Sequence, residues 1–244
     1  MSAAPGLTDD ARAFVTRTQA EARKAVQVLK ETRVLSPSGT LFFTVRIPGE
    51  EKLINLAHTG PWGVDPDGFN TNVVGFDGTA YLGKVNGPAE GRYTKLFRQY
   101  PDIQAISHVH TPHLGAYSQA HAVLPLLYVP NRRFRFSAEI PVYVDRRQAE
   151  VDFILDSLAK DKEVPAIVEA NGGATVWSWK GLIGLANDIL LLEEGAQFQL
   201  LAAALGGALP FGPGVLQQQW RMGGLVPPDA TVDDDGTIHA LAAE

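Results

Sequence analysis

Apolar positions along this chain recur with two different periods, and the switches between them mark the elements. Behind Thr8-Asp9-Asp10, a capping hydroxyl followed by two acids that suit the positive end of a helix, Phe14, Val15, Val26, Val28 and Leu29 recur as far as about Arg33. That spacing predicts an amphipathic helix. Pro37-Ser38-Gly39 turns the chain, and Leu41 to Ile47, rich in aromatic and β-branched residues, reads as a strand. Leu53 to Ala57 is its hairpin partner across Pro48-Gly49. Thr59 to Asn72 carries three glycines and two prolines and is predicted to be a loop. Val73 to Phe76 and Ala80 to Leu82 form a second hairpin about Asp77-Gly78.

Pro88 to Tyr100 is predicted helical, with Glu90 near its start. Ile103 to His110 is a buried strand that Thr111-Pro112 passes into a helix over about His113 to Ala120. A short strand, Pro141 to Val144, precedes a helix from Arg146 to Ala159 with Val151, Ile154, Leu155 and Leu158 on its apolar side. Strands at Pro165 to Glu169 and Ala174 to Trp177 flank Asn171-Gly172-Gly173, and a last long helix runs from about Leu182 to Leu205. No internal repeat is present. These elements fit one domain over residues 1–225, followed by an acidic, flexible tail over 226–244 with Asp233-Asp234-Asp235 and few large apolar residues.

Composition narrows the chemistry. The 244 residues are 45% hydrophobic and 20% charged, enough to bury a core without staples. There is no cysteine, which excludes disulfides, thiolate metal sites and a cysteine nucleophile. Any metal must be held by His, Asp, Glu or backbone oxygen. The net charge of -6 gives no general attraction for nucleic acid or an anionic membrane surface. No apolar run is long enough to span a bilayer, and Met1 to Gly6 lacks the regions of a signal peptide, so a cytoplasmic location is expected.

Within this frame Ser107-His108-Val109-His110-Thr111-Pro112-His113 is the most informative segment. Side chains two apart on a strand share a face, so His108 and His110 can point at one ion. His113, past the strand end, is a candidate third ligand or proton-transfer group. The plain alternative is a pair of structural histidines; against it, three of the six histidines fall within six residues at a strand end. His58 and His121 read as structural. Glu90 reads by itself as a helix-end charge partner. Asn171-Gly172-Gly173 reads as a β-turn. Arg132, Arg133 and Arg135, with Tyr128 and Phe134, suit either a carboxylate and an aromatic ring or a solvated loop or subunit contact.

The order of these motifs resembles the class II aldolase/adducin family over roughly residues 10 to 206. It is carried by the Thr59-Gly60 loop, Glu90, the run Tyr100-Pro101-Asp102-Ile103-Gln104-Ala105-Ile106-Ser107-His108-Val109-His110, then Ile140-Pro141-Val142-Tyr143 and Glu193-Glu194-Gly195-Ala196. The resemblance implies an α/β/α sandwich around a mostly antiparallel sheet, and a homotetramer with active sites between subunits. It implies that His108 and His110 bind metal, and that Glu90 is an acid/base residue and in some states a ligand. The family's third histidine is replaced here by Gly172, and positions that bind phosphate in sugar-phosphate aldolases read Thr40 and Pro88-Ala89, leaving only Thr59-Gly60. A non-phosphorylated substrate is therefore expected.

Two histidines and one carboxylate form the set that leaves positions open on Fe(II). Segments 108–113, 169–173 and 212–216 look more similar to a divergent branch of the same fold, the non-haem iron oxygenases of aminocoumarin antibiotic biosynthesis, a secondary metabolism. The leading expectation is thus an Fe(II) oxygenase that decarboxylates a small aromatic 2-oxo or 2-hydroxy acid with molecular oxygen. His108, His110 and Glu90 would be its metal ligands, Glu90, His113 and Tyr128 its catalytic groups, and Thr59, Gly60, Arg132, Arg133 and Asn171 its substrate contacts. The alternatives are a Zn(II)- or Mn(II)-dependent lyase without oxygen, and a non-catalytic adducin-like interaction module.

Overall fold

The computed structural model describes residues 6–84 and 91–240. In chain order the elements are α1 (Asp9–Glu31), β1 (Leu41–Arg46), β2 (Lys52–His58), β3 (Phe69–Gly75), β4 (Ala80–Leu82), α2 (Thr94–Gln99), β5 (Ala105–Val109), α3 (Pro112–Ala120), β6 (Leu124–Pro125), α4 (Val129–Arg132), β7 (Glu139–Ile140) and β8 (Val142–Tyr143). There follow α5 (Glu150–Lys160), β9 (Ala166–Glu169), β10 (Gly173–Ser178), α6 (Gly181–Ala202) with a 3-10 turn at Ala203–Leu205, α7 (Val215–Met222), β11 (Ala230–Val232) and β12 (Ile238–Ala240). Among the described residues no helix is long and apolar enough to cross a membrane.

Eight strands form one sheet in the order β4-β3-β2-β1-β5-β10-β9-β8, antiparallel throughout except for the β8–β9 pair. Helices cover both faces. Ser178 donates to Asp188 of α6, whereas Thr175, of opposite parity on the same strand, reaches Glu150 at the start of α5. The α/β sandwich with a mostly antiparallel sheet is therefore observed. Its middle strands are buried on both sides: Phe43, Ile106, Val109, Val176 and Trp177 are inaccessible to solvent.

Register positions the chemistry. His108 on β5 is flanked by Phe42 of β1 and by Thr175 of β10, so Thr175 shares its face. The β9–β10 turn is held by buried Ser118 of α3. Its hydroxyl donates to Glu169 O at 2.6 Å and accepts the amides of Gly172 (3.0 Å) and Gly173 (3.1 Å), satisfying three backbone groups at once.

Four predicted boundaries move. The helix expected over 88–100 runs only over Thr94–Gln99, because Gly91 sits at φ +71, outside the helical region, and residues 88–90 lie outside those described. Phe69 to Asn72, expected in a loop, extends β3 because β2 pairs with it along its whole length. The helix expected from Arg146 begins at Glu150, since the Asp145 side chain accepts the Arg147 amide and turns the chain there. The tail expected to be mobile from 227 forms the β11–β12 hairpin. Its small apolar residues suffice because Trp220 supplies the bulk: Ala230 and Val232 pack with Val226, Leu216 and Trp220, beside Phe136.

Candidate metal centre

The His108 and His110 side chains converge. Their Nε2 atoms are 3.3 Å apart, with the rings nearly edge to face. Two imidazoles on one divalent ion, each at about 2.1 Å and near the tetrahedral angle, would place their nitrogens about 3.4 Å apart, so the pair has the spacing of two ligands of one ion. The other nitrogen of His108 settles its tautomer. Nδ1–H donates to Glu169 Oε1 at 2.8 Å, which leaves the Nε2 lone pair directed at His110. A carboxylate behind a metal-binding imidazole fixes its ring and raises its basicity.

Glu169 is 3% exposed and its charge is matched. Arg146 Nη1 donates to Oε2 at 2.8 Å, and the Thr175 hydroxyl lies 2.6 Å from Oε1. Burial alone would push this carboxyl up, but the hydrogen bonds from His108, Thr175 and Arg146 hold it down at about 2. It is a carboxylate at neutral pH. The network runs deeper: Thr175 Oγ1 is 2.9 Å from Glu150 Oε1, which also accepts the Tyr93 hydroxyl at 3.1 Å, while Arg92 Nε donates to Oε2 at 2.7 Å. Burial, then the charge of Glu150, raises the Tyr93 phenol well above its ordinary range, so it stays a donor. Two buried carboxylates thus face two guanidiniums. Burial, and then the nearness of His108, lower the His110 imidazole and favour the neutral form a ligand needs.

His110 is also constrained by its neighbour in the turn. Gly173 is at φ +85, and a Cβ there would lie 2.6 Å from both the His110 ring and Val109 O. Only glycine fits. Among the described residues no group of three or more His, Asp or Glu could hold one ion, and the two imidazoles at ligand spacing are what this site offers a metal. Glu90, the expected third ligand, lies outside the described residues.

The other predicted residues are placed as follows. His113 Nδ1 donates to Glu193 Oε1 at 2.8 Å and faces a separate cleft of about 360 Å³ with Arg33, Leu190 and Gln197. Tyr128 donates to Glu194 at 2.9 Å, and burial followed by that carboxylate raises its phenol. The Thr59 hydroxyl closes its own loop on Asp65 O (2.8 Å) and Gly68 O (3.1 Å), and Gly60 takes φ +76. This loop packs on Gly39, next to Thr40, whose carbonyl accepts the His110 amide, so it borders the histidine end of the sheet. Asn171, at φ +57, joins His121 to Gln119. Arg132 is buried with its guanidinium over Trp220, and Arg133 donates to Gln219, so both engage the C-terminal layer. A cavity of about 560 Å³ at the opposite end of the central strands, among Val45, Gln104 and Trp179, is lined by none of these residues.

Sequence reasoning missed Glu169, Thr175, Arg146 and Glu150. The available signal was an acid closing the apolar strand Ala166–Glu169, a position that is rarely charged unless paired.

The comparisons agree with this architecture. Residues 36–200 match the Class II Aldolase and Adducin N-terminal domain. An L-fuculose 1-phosphate aldolase structure superposes with TM-score 0.67 at 15% identity, covering 85% of this chain and 96% of that one. The L-fuculose 1-phosphate aldolase of Glaciozyma antarctica gives 0.64 at 18%, covering 89% and 86%. YgbL of Escherichia coli, described as a putative aldolase/epimerase/decarboxylase, gives 0.65 at 18%, covering 85% and 99%. No curated protein matches by sequence. With the family profile spanning most of the sheet and both histidines, the chain belongs to the class II aldolase and adducin family.

Proposed function

We propose that this protein is a metal-dependent carbon–carbon lyase acting on a small, non-phosphorylated oxo or hydroxy acid. The observation that carries the reading is the convergence of His108 Nε2 and His110 Nε2, with Glu169 fixing the proton on the far side of His108. A divalent ion held there, Zn(II) or Mn(II), would act as a Lewis acid on a substrate carbonyl. The chain's own residues supply the rest. Glu169, Thr175 and Arg146 keep the His108 ring in one orientation. The Gly173 backbone packs directly against the His110 ring and holds it in place. Glu90 would move the proton.

The absence of phosphate is supported by the Thr59 loop. Its hydroxyl is spent on backbone oxygens, and the nearby cations Arg23 and Lys30 are already paired with its acids, Asp65 and Asp67. The homotetramer belongs to the same proposal and is supported by exposed Phe198, Leu201, Leu205 and Leu209 at and beyond the end of α6.

A second reading keeps the pair and takes Fe(II) and molecular oxygen, acting on an aromatic acid. It is favoured by Gly172 standing where a third histidine would complete the ligand set. Assay of Zn(II)-, Mn(II)- and Fe(II)-loaded protein against a panel of 2-oxo and 2-hydroxy acids, with and without oxygen, separates the two. The lyase reading expects cleavage with Zn(II) or Mn(II) in the absence of oxygen. Turnover confined to Fe(II) with oxygen would overturn it, and no turnover together with no metal uptake would favour an adducin-like module.

A further inference from the structure

Arg146 is more than the counter-charge of Glu169. Of its five N–H donors, Nη1 is spent on Glu169 Oε2 at 2.8 Å and Nη2 on Ala170 O at 3.0 Å, yet the side chain remains 47% exposed. The ring of Tyr143 lies 4.6 Å from the guanidinium carbon and supports it from one side, so the group is held in place while keeping donors free.

Its position follows from the glycine turn. A Cβ on Gly172 would lie 2.8 Å from Arg146 Nη2, and a Cβ on Gly173 would lie 3.3 Å from His110 Nε2. Adjacent residues of one turn therefore touch the guanidinium and the His110 imidazole, and Glu169 links that guanidinium to His108. Any side chain at 172 would cover the guanidinium. The turn is also rigid, since Ser118 satisfies both of its amides. A half-exposed planar cation with free donors, one carboxylate away from a two-histidine pair, matches one ligand group well: a carboxylate taken in two parallel N–H···O bonds.

We infer that Arg146 is the specificity-determining residue of this site, anchoring the carboxylate of a short organic acid whose neighbouring oxygen faces His108 and His110. The inference rests on the metal-centre reading above and adds the residue that selects an acid over a neutral carbonyl compound. In the absence of a carboxylate the same guanidinium still balances Glu169, so the protein folds and loads metal without substrate.

The test uses two probes of nearly equal shape, pyruvate and hydroxyacetone, titrated calorimetrically into Mn(II)-loaded protein, with Mn(II) affinity measured in parallel. Arg146→Met is expected to weaken pyruvate about tenfold or more, the loss of a charge-assisted pair, and to leave hydroxyacetone unchanged. Arg146→Lys keeps the charge on Glu169 but cannot present two parallel donors, and is expected to fall between. Equal weakening of both probes, or no change for pyruvate, overturns the inference, because Arg146 would then act only through Glu169 and His108. Failure of wild-type protein to bind pyruvate also overturns it. If Arg146→Met does not fold, Arg146→Lys decides: an unchanged preference for pyruvate over hydroxyacetone refutes the anchor. Wild-type protein that takes up no Mn(II) or Zn(II) refutes the metal-centre reading instead, and Arg146-dependent pyruvate binding in that metal-free protein would still uphold the acid site.

Discussion

Two histidine–carboxylate pairs lie five residues apart on one stretch of chain, and they do different work. His108 donates to Glu169 and His113 donates to Glu193, each at 2.8 Å, and both carboxylates are almost fully buried. The difference is what else each partner does. Glu193 takes the Thr111 hydroxyl at 2.6 Å and the amides of His113 (2.7 Å) and Leu114 (2.8 Å), so it closes the N-terminal turn of α3 from a distant helix. Among the described residues the Glu169 carboxylate accepts no backbone amide. It is held by Arg146 and Thr175, and the histidine it supports looks across 3.3 Å at a second imidazole. A histidine on a carboxylate is therefore not by itself a metal site. On the proposal made above, the second converging nitrogen makes the distinction.

Breaking each pair should separate the two roles. Glu169→Gln removes the charge behind His108, and metal affinity is expected to fall about 10- to 100-fold in a competition titration against a chelator. An unchanged affinity would mean that Glu169 serves only the fold. Glu193→Ala leaves the two amides at the start of α3 without their acceptor, which should cost about 2 kcal/mol and lower the melting temperature by roughly 4–8 °C, with metal affinity unchanged. A parallel loss of metal would merge the two regions and contradict the comparison. His113→Ala is the smallest change. It gives up one partly exposed hydrogen bond, about 1 kcal/mol, and no metal; a loss of turnover with metal retained would assign His113 to proton transfer in the reaction.

The comparison also shows what was legible in the sequence. The histidine pair could be read because two residues apart on a strand share a face, a local rule that needs no partner strand. Glu169 and Thr175 could not be read this way. Their meaning depends on β10 lying beside β5 in the register that sets Thr175 opposite His108, and register is not local information. Arg146 was assigned to a helix, whereas the turn made by Asp145 frees it for the site. Arg132 and Arg133 formed a visible basic cluster, but its destination, under Trp220 and Gln219, depends on a C-terminal layer whose small residues gave no apolar signal. The family resemblance carried the sheet and helix order correctly, since that order follows from patterns along the whole chain.

Whether one ion is held jointly by His108 and His110, as proposed, is measured directly by metal stoichiometry: elemental analysis of wild type, His108→Ala and His110→Ala after equal exposure to Zn(II), Mn(II) and Fe(II) without oxygen. The expected result is about one ion per chain in the wild type, with each single substitution removing most of it while the fold is retained by circular dichroism. A wild type that takes up no ion, or variants that keep it unchanged, would contradict the account.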